Sequence, residues 1–199
     1  KLKLGARVDK RTSTPVNGVE RKLHPKSFSA GLGWQIDDAW RVTLNMDHSE
    51  RGPAEEELFA HGPHEASATY EIGDPTLAVE KADSVTLGLH YRADWVDAKV
   101  EAYNNKFDGY IYLADTGRVD DDLPVRIWSQ NGARFRGVDA SATFHLAAAP
   151  SGHWDLRVWG DHVRATLSNG GNVPRIPASL LGSEMVWNRG DLRASLGAD

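Results

Sequence analysis

The feature that most constrains the fold is an alternation of apolar and polar residues that recurs along the chain. In residues 2–9 (LKLGARVD) every second residue is apolar, and a period of two is typical of a β-strand with one apolar face. The pattern returns in the segments 28–36, 40–47, 85–91, 96–102, 138–146, 154–158 and 181–187, and a last segment follows residue 190. The sequence therefore predicts an all-β, antiparallel protein of about nine strands.

The connections between these segments alternate strictly in length. We expect short turns at 37–39, 93–94, 147–153 and 188–190, and long loops at 11–25, 49–80, 113–125 and 168–177. Outer-membrane barrels have short turns at one end and long loops at the other, whereas a soluble β-sandwich has no reason to sort its connections by length. The arrangement favours a transmembrane β-barrel segment.

Tryptophan placement points the same way. Five of the seven tryptophans lie within about three residues of the predicted short turns, at one end of the strands: Trp34, Trp40, Trp95, Trp154 and Trp187. Indole rings gather at the headgroup level of a membrane, where the ring is shielded and the N–H reaches water. Tryptophans also pack at strand ends in other β-proteins, so a soluble β-sandwich binding module stays open as an alternative.

Composition excludes several functions. A net charge of -5 opposes sequence-independent binding to nucleic acid. The chain has no cysteine, which rules out disulfides and cysteine-ligated metal. It has no Gly-x-Ser-x-Gly, no His-Glu-x-x-His and no phosphate-binding glycine loop. We expect no catalytic residues, no bound cofactor and no enzyme activity.

The longest loop, between Asp47 and Glu80, contains a predicted short helix. Pro53 followed by Glu55, Glu56 and Glu57 is typical of a first helical turn, because proline needs no backbone N–H there and acidic side chains favour the positive end of the helix dipole. Gly62 is the predicted end of this helix.

Three stretches in and after this loop resemble a known family. They are ERGPAEEELFAHGPH, YEIGDPTLAVEKADSVTLGLHYR and YNNKFDGYIYL. Together they resemble the late-barrel segment of TonB-dependent outer-membrane receptors, and HGPH resembles the zinc-uptake branch most. The similarity extends over nearly the whole chain.

The resemblance implies that residues 1–199 are part of a larger barrel, on the order of 22 strands, with the plug domain and closing strands outside this chain. It implies a transporter in the outer membrane of a Gram-negative bacterium, with lipid, its own plug, TonB acting through that plug, and a small-molecule or metal substrate as partners. A haem or siderophore receptor of the same class is the alternative. The resemblance also implies that two long strands continue without a turn through Asp108-Gly109 and Asn131-Gly132, although both pairs are typical of hairpin turns.

Strand parity predicts which face each residue occupies. We expect an outward, lipid-facing set consisting of Leu32, Val42, Leu44, Leu87, Leu89, Val100, Ala140 and Leu156. We expect a lumen-facing set consisting of Arg41, Asn45, Asp47, Lys99, Glu101, Asp139, Thr143, His145, Arg157 and Asp161. The lumen set carries charges of both signs, as the wall of a water-filled channel does.

One cluster has the chemistry of a metal site. Imidazole and carboxylate groups suit zinc, and His61 and His64 have a workable spacing for two ligands. We expect a bend at Gly62 and Pro63 to bring both imidazoles to one side, with Glu65, His48 or the plug as a third ligand. The alternative is that these histidines are idle on the loop surface. The run 120–122 (DDD) lacks the spacing of a calcium loop and is predicted to be a solvated loop tip.

Overall fold

The computed structural model describes residues 1–13 and 20–199, with the side chains of 147–149 excepted. The predicted loop 11–25 therefore lies partly outside the described residues. In these described residues one helix, α1 (Glu55–Phe59), accompanies thirteen strands. The strands are β1 (Leu2–Val8), β2 (Arg11–Ser13), β3 (Arg21–Leu23), β4 (Lys26–Gln35), β5 (Trp40–Arg51), β6 (His61–His64), β7 (Thr69–Ile72), β8 (Glu80–Ala93), β9 (Val96–Asp120), β10 (Leu123–Ala149), β11 (Gly152–Leu167), β12 (Leu180–Arg189) and β13 (Leu192–Ala198).

Nine of these strands form one antiparallel sheet in which each pairs with the next long strand along the chain. The order is β1-β4-β5-β8-β9-β10-β11-β12-β13, with β6 and β7 attached to β10 at the long-loop end and β2 paired with β3 apart. The sheet is open, since β1 and β13 do not pair with each other in the described part of the chain. This confirms the predicted nine-strand barrel segment.

Strand register confirms the predicted faces, because residues directly opposite each other in a sheet share a face. One row runs Leu32, Leu44, Leu87 and Ala102 across four strands. A second row runs Trp34, Val42, Leu89, Val100 and Ala140. The polar rows between them include Arg41, His90 and Lys99, and Glu101, Asp139 and Asp161. A one-residue slip in any pair would have exchanged the two faces.

No second sheet covers the apolar face in the described residues. Leu32, Leu87 and Val100 are 51%, 54% and 46% exposed, and none of the eight predicted outward residues is buried. Contiguous apolar surface of this extent is not stable in water and marks contact with another apolar phase. The prediction of a barrel wall is confirmed, and the alternative of a soluble β-sandwich is wrong, because a sandwich buries this face between two sheets.

Five of the seven tryptophans, at 34, 40, 95, 154 and 187, form a belt at the short-turn end. Trp40 contacts Tyr91 with ring centroids 4.5 Å apart, Trp95 stacks on Phe144, and Trp154 lies beside Trp187. The Trp187 indole N–H donates to the Ser151 carbonyl, 2.9 Å away, in the turn between β10 and β11. Each ring covers apolar surface while its edge stays near the polar turns, as expected of an interfacial girdle.

The two pairs that resemble hairpin turns lie inside long strands, as the family resemblance predicted. Phe107 pairs with Ala133 and Tyr110 pairs with Asn131, so two residues of β9 oppose the single Gly132 of β10. Gly109 has φ +71°, which is the left-handed conformation that a bulge of this kind requires. The Asp-Gly pair thus bends a continuous strand instead of ending it.

The predicted long loop at 113–125 is wrong. β9 continues to Asp120, β10 starts at Leu123, and only Asp121 and Asp122 connect them. Both have positive φ, +47° and +63°, as the central residues of a two-residue hairpin turn of type I′ do. The aspartate run is therefore the tip of a hairpin.

In the described residues, no helix has the length and apolar character needed to cross a membrane.

The assigned faces predict different effects of one substitution on neighbouring strands. Leu87→Arg places a charge on the lipid-facing side and should lower the free energy of unfolding by about 2–4 kcal/mol near the bilayer midplane. Thr43→Arg places the same charge on the lumen side of β5 and should cost far less. The measurement is a reversible unfolding titration of the full-length receptor in lipid, and equal losses at both positions would contradict the face assignment.

Candidate functional site

The loop between β5 and β8 is held at its base by one arginine. Arg51, at the end of β5, donates to both carboxylate oxygens of Glu57 in α1, at 3.0 and 2.9 Å. It also donates to Glu80, its direct partner at the start of β8, at 3.3 and 3.2 Å. Burial lowers the pKa of Arg51, but the hydrogen bonds to Glu80 and Glu57 outweigh it and the net shift is upward. The guanidinium fork thus joins two strands and the helix.

The two carboxylates make further bonds. Glu57 accepts the backbone N–H of Ala54 at 2.6 Å, which fixes the start of α1. Glu80 accepts the backbone N–H of Ile111 at 2.7 Å. Both side chains are nearly buried, with 9% and 11% exposure, so each depends on Arg51 for compensation of its charge.

An apolar cluster holds the same loop against the β9–β10 hairpin. Leu58 of α1 and Leu77 pack with Ile111, and all three are at most 5% exposed. Phe59 and Trp128 close over them. Burial of leucine side chains of this size stabilises a structure by roughly 1.5–3 kcal/mol each. The loop is therefore an ordered part of the structure, although most of its sequence is polar.

The predicted end of the helix at Gly62 is wrong. α1 ends at Phe59, and Ala60 already has extended dihedral angles, φ -55° and ψ 135°. The glycine that matters is Gly73, whose N–H donates to the Ala60 carbonyl at 2.7 Å. A Cβ on Gly73 would lie 2.5 Å from the Phe59 nitrogen, so close packing on the end of the helix requires glycine here.

The predicted bend at Gly62 and Pro63 is also absent. His61–His64 form strand β6, paired antiparallel with β7, which in turn pairs parallel with β10 at Val125–Ile127. Two residues three apart in a strand project to opposite sides. His61 Nδ1 lies 3.0 Å from the Tyr70 hydroxyl, whereas His64 Nδ1 lies 2.9 Å from Ser67 Oγ and 3.7 Å from Glu71 Oε1.

Both histidines nevertheless line one cavity at the long-loop end of the sheet. Its volume is about 420 Å³, and its wall includes His61, His64, Glu56, Glu71 and Trp128. Glu71 is 6% exposed and accepts hydrogen bonds from Ser67 and Thr69, at 2.9 and 3.1 Å. The cavity thus combines two imidazoles and two carboxylates.

The other two predicted ligands lie elsewhere. Glu65 is an exposed residue of the turn between β6 and β7 and is not part of the cavity wall. His48 shares the outward row of β5 with Met46, and its Nδ1 lies 2.7 Å from Asp83 Oδ1. Its Nε2 lies 3.7 Å from Glu50. His48 therefore contacts acidic side chains on the outward face of β5, and it does not line the cavity that contains His61 and His64.

The sequence analysis missed a different group of ligand-type side chains. His145, His153 and Asp155 each place one donor atom within 4.8 Å of the others, and in residues 1–13 and 20–199 no other three histidine or acidic side chains do so. Of these three residues, only His145 was assigned to the lumen face from the sequence. The available signal was the spacing His153-x-Asp155, which puts both side chains on one face of a strand.

Comparison with known proteins identifies the family. The family described as "TonB dependent receptor-like, beta-barrel" matches residues 1–198. A haemoglobin-haptoglobin utilization protein B of Neisseria meningitidis serogroup A is 23% identical over 210 residues, covering 87% of this chain and 26% of that protein. The chain thus spans about a quarter of the length of this relative.

Solved structures of barrel receptors have the same fold. The copper transporter OprC superposes with a TM-score of 0.81 at 18% identity, over 98% of this chain and 30% of that one. The FrpB iron transporter from Neisseria meningitidis (F3-3 variant) gives a TM-score of 0.64 at 15% identity, over 98% of this chain and 29% of that one. At these identities the similarity shows the fold alone.

The arginine fork predicts how the loop loses its order. Arg51→Ala removes the partner of two nearly buried carboxylates, so we expect a loss of about 1–3 kcal/mol in local stability. Hydrogen exchange of the full-length receptor should then show faster exchange in residues 54–60 and 73–80 but unchanged protection in β9. Arg51→Lys is the control and should retain part of the protection, because it keeps the charge but not the fork. Equal exchange in all three proteins would contradict this role.

Proposed function

Because the chain belongs to the TonB-dependent receptor β-barrel family, we propose that it is the wall segment of an outer-membrane receptor that actively takes up a scarce nutrient. The observation that carries the proposal is a single sheet with one uncovered apolar face, a tryptophan belt and a charged opposite face. Lipid would cover the first face, and the second would line the lumen. In this proposal the plug and TonB, which supplies the energy, act through parts of the receptor that this chain does not include.

We propose that the substrate is a divalent metal ion, with zinc as the first candidate. The cavity beside β6 supports this, since its wall carries His61, His64, Glu71 and Glu56. Imidazole nitrogen and carboxylate oxygen together suit zinc and its neighbours in the first transition row. His61 and His64 are the proposed ligands, and Glu71 is better placed than Glu65 or His48 to add a carboxylate.

Capture would require a rearrangement of the cavity. The imidazoles bond to Tyr70 and Ser67, and a metal must replace these contacts. β6 sits at the edge of the small β6–β7 hairpin and, in the described part of the chain, pairs with β7 alone. A short edge strand with exposed histidines can shift at less cost than the barrel wall can. The proposed site is therefore an entry site that closes around the ion.

A haem or siderophore receptor is the second candidate. The similarity to a haemoglobin-haptoglobin utilization protein favours it. Haem would also use an exposed histidine as its axial ligand. The two candidates differ in what the histidines bind: a bare divalent ion needs His61, His64 and a carboxylate together, whereas haem needs one imidazole and a much larger apolar surface.

Metal capture is tested by calorimetric titration of the full-length receptor with zinc. Removal of both imidazoles in a His61→Ala/His64→Ala variant should weaken zinc binding at least tenfold, since two of the ligands are lost. Affinity should also fall as pH drops below about 6.5, because a protonated imidazole cannot bind metal. His48→Ala is the matched control, and its affinity should equal that of the wild type.

Three outcomes separate the candidates. Zinc affinity that is the same in the double variant and the wild type would remove the capture site and return both histidines to the surface. Tight haem binding that needs only one of the two histidines would favour the haem receptor. Zinc accumulation by cells that carry the receptor should require an energised inner membrane, and accumulation without it would contradict active transport.

A further inference from the structure

A second set of metal-binding side chains lies at the opposite end of the sheet from the loop cavity. His145 on β10 pairs directly with Asp155 on β11, so the two side chains share the lumen face. His153 precedes Asp155 by two residues on the same strand and therefore points to the same side. The turn at 150–151 lies immediately beyond these residues. The cluster thus sits at the short-turn end of the lumen wall.

The two imidazoles converge on one carboxylate oxygen of Asp155. His145 Nδ1 lies 2.7 Å from Asp155 Oδ1, and His153 Nε2 lies 2.8 Å from the same oxygen. The ring centroids of the two histidines are 5.8 Å apart. Asp155 is only 8% exposed. Two nitrogens and one carboxylate oxygen therefore all lie within 4.8 Å of one another, close enough for one metal ion to reach all three after small side-chain rotations.

The side-chain partners of the Asp155 carboxylate are the two histidines. The basic side chain on the next lumen row, Arg157, is paired with Glu184 at 3.3 Å. The direct partner of Asp155 on the other side is Val186, which is fully buried and carries no charge. His145 is fixed further by its backbone N–H, which donates to the Trp95 carbonyl at 2.8 Å. In the described residues no lysine or arginine pairs with Asp155.

We propose that His145, His153 and Asp155 form a binding site for a divalent transition-metal ion such as Zn²⁺ or Co²⁺. Bond lengths of about 2.0–2.2 Å to nitrogen and oxygen place tetrahedral ligands roughly 3.3 Å apart. The histidine-to-carboxylate distances need to open by about 0.5 Å, which side-chain rotation supplies. Calcium and magnesium are excluded by their preference for oxygen ligands alone.

Three protein ligands leave one coordination position open toward the lumen. Closed structural zinc sites use four protein ligands, whereas sites that exchange water or substrate keep an open position. All three ligands stand on paired strands, and rigid elements hold such geometry better than loops. The site is distinct from the proposed capture cavity and does not depend on zinc being the transported substrate.

The test uses the full-length receptor, purified in detergent and freed of metal by a chelator. A His61→Ala/His64→Ala background removes the proposed capture site. Titration with Co²⁺ should give visible absorption bands of a low-symmetry N₂O site at one equivalent. Adding His145→Ala or Asp155→Asn should weaken this binding by more than the roughly 10- to 100-fold that loss of an outer-shell partner costs.

Two controls keep the result interpretable. His162→Ala removes an exposed histidine of β11 whose side chain bonds to Ser179, and it should leave Co²⁺ binding unchanged. Asp155→Asn keeps an oxygen acceptor for both imidazoles, so this variant should fold like its parent. Cu²⁺ bound to the background receptor should also show two coordinated imidazole nitrogens by electron paramagnetic resonance.

Several results would overturn the proposal. Absence of Co²⁺ binding in the background receptor would mean that the three side chains form a hydrogen-bonded clasp only. Binding that is unaffected by His145→Ala and Asp155→Asn, or a copper signal with fewer than two imidazoles, would place the metal elsewhere. The capture site can fail independently, since that failure appears as unchanged zinc affinity when His61 and His64 are removed.

Discussion

Hydrogen bonding between adjacent long strands is the interaction on which the rest of this structure depends. A backbone that faces hydrocarbon cannot use water to satisfy its N–H and C=O groups, so each strand must pair along its length. The registers achieve this from β1 to β13 with only a few irregularities. Because pairing fixes register, it also fixes which side chains meet lipid and which meet the lumen. The two rows through Leu87 and Leu89 are a direct result.

Two irregularities in the strand pairing lie beside polar clusters. The bulge at Gly109 falls beside Ile111, whose N–H bonds to Glu80 at the base of the long loop. The shift beyond His145 lies next to the His145–Asp155–His153 cluster. Bulges redirect side chains and concentrate near functional positions. In both places a local break in the ladder lies beside a polar cluster.

The long loop shows how polar sequence becomes ordered structure. Arg51 ties α1 to two strands, Leu58 and Leu77 bury against Ile111, and Gly73 permits contact with the helix end. Apart from the bond between Arg51 and Glu57, which are six residues apart, these contacts join residues that are distant in sequence. The result is a cavity wall with His61 and His64 on a short edge strand, while His48 faces away on the rigid sheet. The loop can thus differ in mobility from the wall that carries it, as a binding element on a stable scaffold requires.

The alternation of apolar and polar residues was enough to predict the nine strands of the main sheet and their faces, because a period of two is a local property that survives any choice of partner. The sequence also determined the helix around Glu55–Phe59 through its acidic first turn. It failed where the outcome depended on distant partners. The loop predicted at 113–125 extends as strand because β9 and β10 pair with each other. His61 and His64 lie in a strand because β7 offers an edge. The spacing His153-x-Asp155 could place only those two side chains on one face; His145 joins them because cross-strand register brings β10 against β11, and local sequence does not specify that register.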